Sequence, residues 1–190
     1  MKSLFLATIM ALLPMTTLAQ NASSAKVAEL AAHRVDRLVT TGKIDAGFAK
    51  RLERIDVSAA SPAPAAFKVL VSQTKPLQGL PIQVEMVFDV AGKPLSFKAI
   101  PGGVAGADPG YDGGKNAVTL FENSLHQIID SANDANIAPF ANGLTSVILT
   151  KVNQDGMIMS KAQVKSSATP SKLNVYLMLN GAFMSKDIEK

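Results

Sequence analysis

The stretch Ile82-Gln-Val-Glu-Met-Val-Phe-Asp-Val-Ala-Gly-Lys-Pro-Leu-Ser-Phe-Lys-Ala-Ile100 decides the class of fold. Ile82, Val84, Met86 and Phe88 alternate with Gln83, Glu85 and Asp89, the period of a strand with one buried face. Asp89-Val90-Ala91-Gly92-Lys93 has turn composition, and Leu95 and Phe97 resume the alternation, so the stretch predicts a hairpin. The signal returns in the last third, where Val147–Val152 and Met157–Val164 flank Asn153-Gln154-Asp155-Gly156. Leu173, Val175, Leu177 and Leu179 then lead through Asn180-Gly181 into Ala182–Ile188. A two-residue turn at Asn180-Gly181 would place Leu179 opposite Ala182, Met178 opposite Phe183 and Leu177 opposite Met184. Phe67–Thr74 reads as one more strand.

Outward from these strands the period changes. Val27, Leu30, Ala31, Val35 and Leu38 recur at helical spacing after the capping candidates Asn21, Ser23 and Ser24, and Thr40-Thr41-Gly42 ends the pattern. Asp45 can cap a second helix carrying Phe48, Leu52 and Ile55, giving an αα-hairpin. Ser58 to Ala66 carries two prolines and no periodicity, the signature of a stiff linker. Between the two sets of strands, Val118, Phe121, Leu125, Ile128 and Ile129 predict an amphipathic helix. The expectation is therefore an α+β protein, with an N-terminal αα-hairpin and an antiparallel sheet of about seven strands packed against one central helix. Strand hairpins on either side of that helix suggest two related halves. The expected segments are 1–19 leader, 20–57 helical hairpin, 58–66 linker and 67–190 α+β domain.

The leader reading rests on Lys2, the apolar run Leu4–Leu13, Pro14, and small residues at Thr17 and Ala19, the layout of a cleavable secretory signal. The run is shorter than the roughly 20 residues of a bilayer span. The expected location is the periplasm or outside the cell, with no transmembrane segment after leader removal. With no cysteine, the fold relies on apolar packing, and thiol nucleophiles and thiolate metal sites are excluded. Hydrophobic residues make up 47% and charged residues 18% of the chain, which argues for a folded core. The net charge of +4 comes without Lys/Arg runs that could track a phosphate backbone, so nucleic acid is not an expected partner. Lys50, Arg51 and Arg54, with Arg34 and Arg37, read as a solvated face.

Glu122, His126 and Asp130 stack on one face of the central helix and are the candidate metal ligands. All three span about 12 Å, too far for one ion, so the form that survives is His126 with one carboxylate and outside groups. His33 repeats the pattern with Glu29 and Arg37, but the cation there favours a surface charge ladder. Ser124 and His126 make no triad alone, and neither G-x-S-x-G nor H-E-x-x-H occurs. The glycine-rich loop Pro101–Lys115 fails the phosphate-loop pattern, because Pro109 and Asn116 stand where a glycine and a hydroxyl are needed. It leaves Tyr111, with Asp108 and Asp112, as candidate binding residues. Of the five methionines beyond the leader, Met86, Met157, Met159, Met178 and Met184, the strand faces forbid a single shared site, and the expectation is core filling.

The Ile82–Ile100 unit resembles the strand, D-x-x-G-K turn, strand unit of PepSY-type exported domains, and Leu173–Ile188 has a similar shape. The resemblance implies a helix on an antiparallel sheet and a non-catalytic envelope domain that binds or inhibits another protein. The expected function is an exported binding or accessory protein of the envelope without a cofactor, its partner another envelope protein or a small ligand. A metal-binding protein using His126 is the alternative, and an enzyme working through paired carboxylates ranks behind both.

Overall fold

The computed structural model describes residues 21–73, 81–102 and 117–190. Helices α1 (Ser24–Thr40) and α2 (Ala46–Lys50) precede strands β1 (Arg54–Ala59), β2 (Ala65–Ser72), β3 (Pro81–Asp89) and β4 (Pro94–Pro101). Helices α3 (Ala117–Ile129) and α4 (Ala138–Gly143) then precede β5 (Leu144–Gln154), β6 (Met157–Ser166), β7 (Thr169–Met178) and β8 (Phe183–Glu189). All eight strands form one antiparallel sheet in the order β4-β3-β2-β1-β5-β6-β7-β8. With 46% strand and 28% helix, this is a mostly-sheet fold with four short helices. It corrects the expected α+β arrangement of an αα-hairpin followed by a sheet under one central helix.

The correction has a local cause. Phe48, Leu52 and Ile55 have helical spacing, yet only Phe48 lies in a helix, and α2 ends at Lys50. From Arg54 the chain alternates exposed or half-buried Arg54, Asp56 and Ser58 with buried Ile55 and Val57. The β-branched pair fits a pleated surface, and pairing on both sides, with β2 and β5, overrides the weak helical period. Residues 58–66 consequently run from the end of β1 into β2, with the Ala60 amide donating to the Ala66 carbonyl at 2.9 Å. At the far edge, Leu177 faces Phe183 across a bulge, and the Met178 amide donates to the Ala182 carbonyl at 2.8 Å. That is a one-residue shift from the register expected of the Asn180-Gly181 turn.

Helix α1 starts at the N-cap Ser23, whose hydroxyl accepts from the Lys26 amide at 3.2 Å. Its buried stripe is mostly alanine: Ala25, Ala28, Ala31 and Ala32, extended by Val27 and Val35. Small side chains let it lie close to its neighbours. It packs on α3, whose buried residues include Leu120, Phe121, Ser124, Leu125 and Ile128, and both helices lie over the strands.

The two groups of six elements repeat one another. Across the first half, Ile55 faces Val71 and Val71 faces Val84; across the second, Val147 faces Val164 and Val164 faces Leu173. The next buried row is Val57–Val69–Met86 in one half and Leu149–Ala162–Val175 in the other. Both final hairpins carry a bulge, with Phe88 opposite Pro94 and Leu177 opposite Phe183. Gly92 (φ +80°) and Gly181 (φ +90°) close these hairpins against the equivalent positions Leu30 of α1 and Asn123 of α3. β1 pairs with β5 in antiparallel fashion, so the halves meet about an approximate two-fold axis through the middle of the sheet. The two related halves expected from the sequence are thus present as matched rows of core residues.

Candidate functional site

The two-fold axis brings α1 and α3 together antiparallel, and on their outer surface it assembles four titratable side chains. His33 Nδ1 lies 3.2 Å from Glu122 Oε1, and His126 Nδ1 lies 3.3 Å from Glu29 Oε1. Each helix therefore offers one glutamate and, a turn later, one histidine, and each histidine meets the glutamate of the other helix. These are the only two histidines in the chain. His126 Nε2 also approaches Asp130 Oδ2 at 3.2 Å, and Lys26 pairs with Glu29. A neutral imidazole donates from one nitrogen only, whereas an imidazolium satisfies both Glu29 and Asp130. The glutamates are the better shielded partners, Glu29 at 14% and Glu122 at 29% side-chain exposure, while both imidazoles are more than half exposed.

Lys26, Glu29, Leu30, His33, Glu122, Asn123 and His126 line a groove of about 450 Å³ over this seam. The expected triple of Glu122, His126 and Asp130 is divided by it: Asp130 reaches His126, but Glu122 turns to His33. Among the described residues no three His, Asp or Glu side chains converge as one metal would require. Ser124 is fully buried and its hydroxyl donates to the Leu120 carbonyl at 2.7 Å, so it serves the helix backbone and not an exposed His126. Tyr111, Asp108 and Asp112 lie outside the described residues. Glu29 and His33, set aside in the sequence as a charge ladder, are half of the seam. The signal for them was the repetition of Glu-x-x-x-His, whose meaning needed the antiparallel packing of the two helices.

The opposite face of the sheet carries a polar lattice in the second half. Asn174 Nδ2 donates to Asp187 at 2.9 Å, Gln163 Nε2 donates to Asn174 Oδ1 at 3.3 Å, and Lys172 donates to Glu189 at 2.8 Å. The Lys172 hydrogen bond and charge lower the pKa of Glu189, whereas partial burial and then the Asp187 carboxylate raise that of Tyr176. Donors and acceptors here satisfy one another.

Compared with known proteins, the chain matches no family model, no curated protein and no solved structure. No helix among the described residues is long and apolar enough to cross a membrane.

Proposed function

We propose that this chain is an exported, non-catalytic binding or accessory protein of the cell envelope, and that its contact surface is the seam groove between α1 and α3. The observation that carries the reading is the groove itself, where both halves present equivalent acid and imidazole groups beside Leu30 and Asn123. Paired hydrogen-bonding groups on a rigid helix layer suit recognition of a polar partner surface or ligand. The one hydroxyl next to the histidines in sequence, Ser124, is buried and committed. The leader-like first nineteen residues support export, and the resemblance to PepSY-type domains supports an accessory role.

The chain has no cysteine, so a single introduced thiol is a clean reporter. Asn123→Cys carrying a photocrosslinker should capture a defined partner or ligand in the native compartment, and Glu29→Ala with Glu122→Ala should abolish that capture. Lys98→Cys, on the other face of the sheet, is the control. Crosslinks from Lys98→Cys alone, or turnover of a substrate by the purified chain, would overturn the reading. Mass spectrometry of the native chain should show a start at Gln20; an intact Met1 would remove export.

A further inference from the structure

The two halves share one frame but differ at one end. In the second half, Met157, Ile158, Met178, Leu179, Phe183 and Met184 are exposed by between 39% and 56%. They are neighbours through the sheet, since Met159 faces Met178 and Leu177 faces Phe183. In the first half the counterpart of the Met159–Met178 pair is Ala65–Asp89, and the counterpart of Phe183 is Pro94. The loop Ala60–Pro64 stands where the second half turns into Met157 and Ile158. Val90 and Leu95, the counterparts of Leu179 and Met184, are also exposed, so the halves differ at Met157, Ile158, Met178 and Phe183, where the frame does not require large apolar side chains. The expectation that methionines fill the core holds for buried Met86 and Met159, but not for Met157, Met178 and Met184.

We propose that this end of the sheet is an attachment site for an anionic lipid surface. Two observations select that occupant. Apolar side chains project from both faces of the same sheet end: Met157 and Met178 share the face of the partly buried Tyr176, while Ile158 and Met184 lie on the helix-covered side. A protein partner docked on one face leaves the other exposed, whereas the interfacial layer of a membrane surrounds a wedge from both sides. The charge is complementary as well. Lys151 and Lys161 stand on the strands just behind the apolar end, and from Leu144 to Lys190 lysines outnumber acids. Lysines set back from a shallow apolar wedge meet anionic headgroups. Asp155, in the turn between β5 and β6, is an opposing charge at this end. The site adjoins the seam groove through the Asn123 hydrogen bond to the Gly181 carbonyl, but its apolar side chains are not part of the groove lining, and it holds whether or not the seam binds a partner.

The test is flotation of the chain starting at Gln20 with vesicles of phosphatidylcholine alone and of phosphatidylcholine mixed equally with phosphatidylglycerol. The chain should float with the mixed vesicles, weakly with the neutral ones, and less as salt is raised. Ile158→Ser with Phe183→Ser should weaken binding by about tenfold or more at an unchanged melting temperature, because both side chains are exposed. Lys151→Glu with Lys161→Glu should weaken it similarly, and Asp155→Asn should strengthen it. Val90→Ser, at the counterpart hairpin of the first half, should leave binding intact. Absence of flotation with the mixed vesicles, or binding that the Ile158/Phe183 variant retains, overturns the proposal. So does a dimer in sedimentation that this variant dissolves, which would make a second copy the occupant.

Discussion

The helix-covered rows of the two halves and their far hairpins make an instructive pair. Ile55–Val71–Val84 and Val147–Val164–Leu173 are interchangeable in kind, all branched aliphatic and all buried or nearly so. The hairpins that end the two halves keep the same bulge and the same left-handed glycine, yet one presents Asp89 and Pro94 and the other Met178 and Phe183. Packing at interior density constrains the rows, because a changed volume is felt by every neighbour. Nothing in the frame constrains what the hairpins show to the outside. The positions where matched halves diverge are therefore where function has the freedom to be written.

The comparison breaks most visibly in the core. Met86→Ala and Val175→Ala truncate equivalent positions of the second buried row, and both side chains are fully buried. Chemical denaturation should show a loss of about 2–5 kcal/mol for Met86→Ala and a smaller loss for Val175→Ala, which removes fewer atoms. A negligible cost at either would mean that the halves are not packed alike.

At the hairpin glycines the expected effect is smaller and equal in origin. An added Cβ would lie 2.9 Å from the Leu30 side chain at Gly92 and 2.8 Å from that of Asn123 at Gly181, with positive φ at both. Each alanine should cost on the order of 1–2 kcal/mol in thermal melts. Gly181→Ala should cost more if the Asn123 hydrogen bond to the Gly181 carbonyl, 2.9 Å in length, is lost with it.

Below that come the seam pairs. Glu122→Gln and Glu29→Gln remove one cross-helix partner each and should cost no more than about 1 kcal/mol apiece, because the imidazoles are exposed. A double-mutant cycle of Glu122→Gln with His33→Gln measures the pair directly. A coupling well above that bound would make the seam a structural clamp in place of a recognition surface.

The smallest effect is the pH response at the sheet edge. Lys172 lowers the pKa of Glu189, so the stabilisation is present above the ordinary glutamate value and fades as the pH falls through the lowered one. Glu189→Gln should therefore be slightly less stable than the parent at neutral pH and indistinguishable from it in acid. A difference that grows in acid would contradict the sign.

The strands with clean alternation were legible in the sequence, as were the Gly92 and Gly181 turns, the first helix and the helix of residues 117–129. β1 was not, because Phe48, Leu52 and Ile55 imitate a helix over a window too short to separate the two periods. Its identity is settled by pairing with β2 and β5, which are distant in sequence. The candidate site was half legible: His126 was singled out, but its glutamate lies in the other half of the chain.

By itself the sequence determined the local periods, the turns, the reliance of a cysteine-free chain on its apolar core, and the leader-like start. Each of these is written within a few residues. Only the tertiary structure decided that eight strands form one sheet, that the halves meet at a two-fold seam, and that each histidine faces the other half's glutamate. Such contacts join residues far apart in the chain, and their geometry comes from burying the alanine stripe of α1 against α3, not from any local preference.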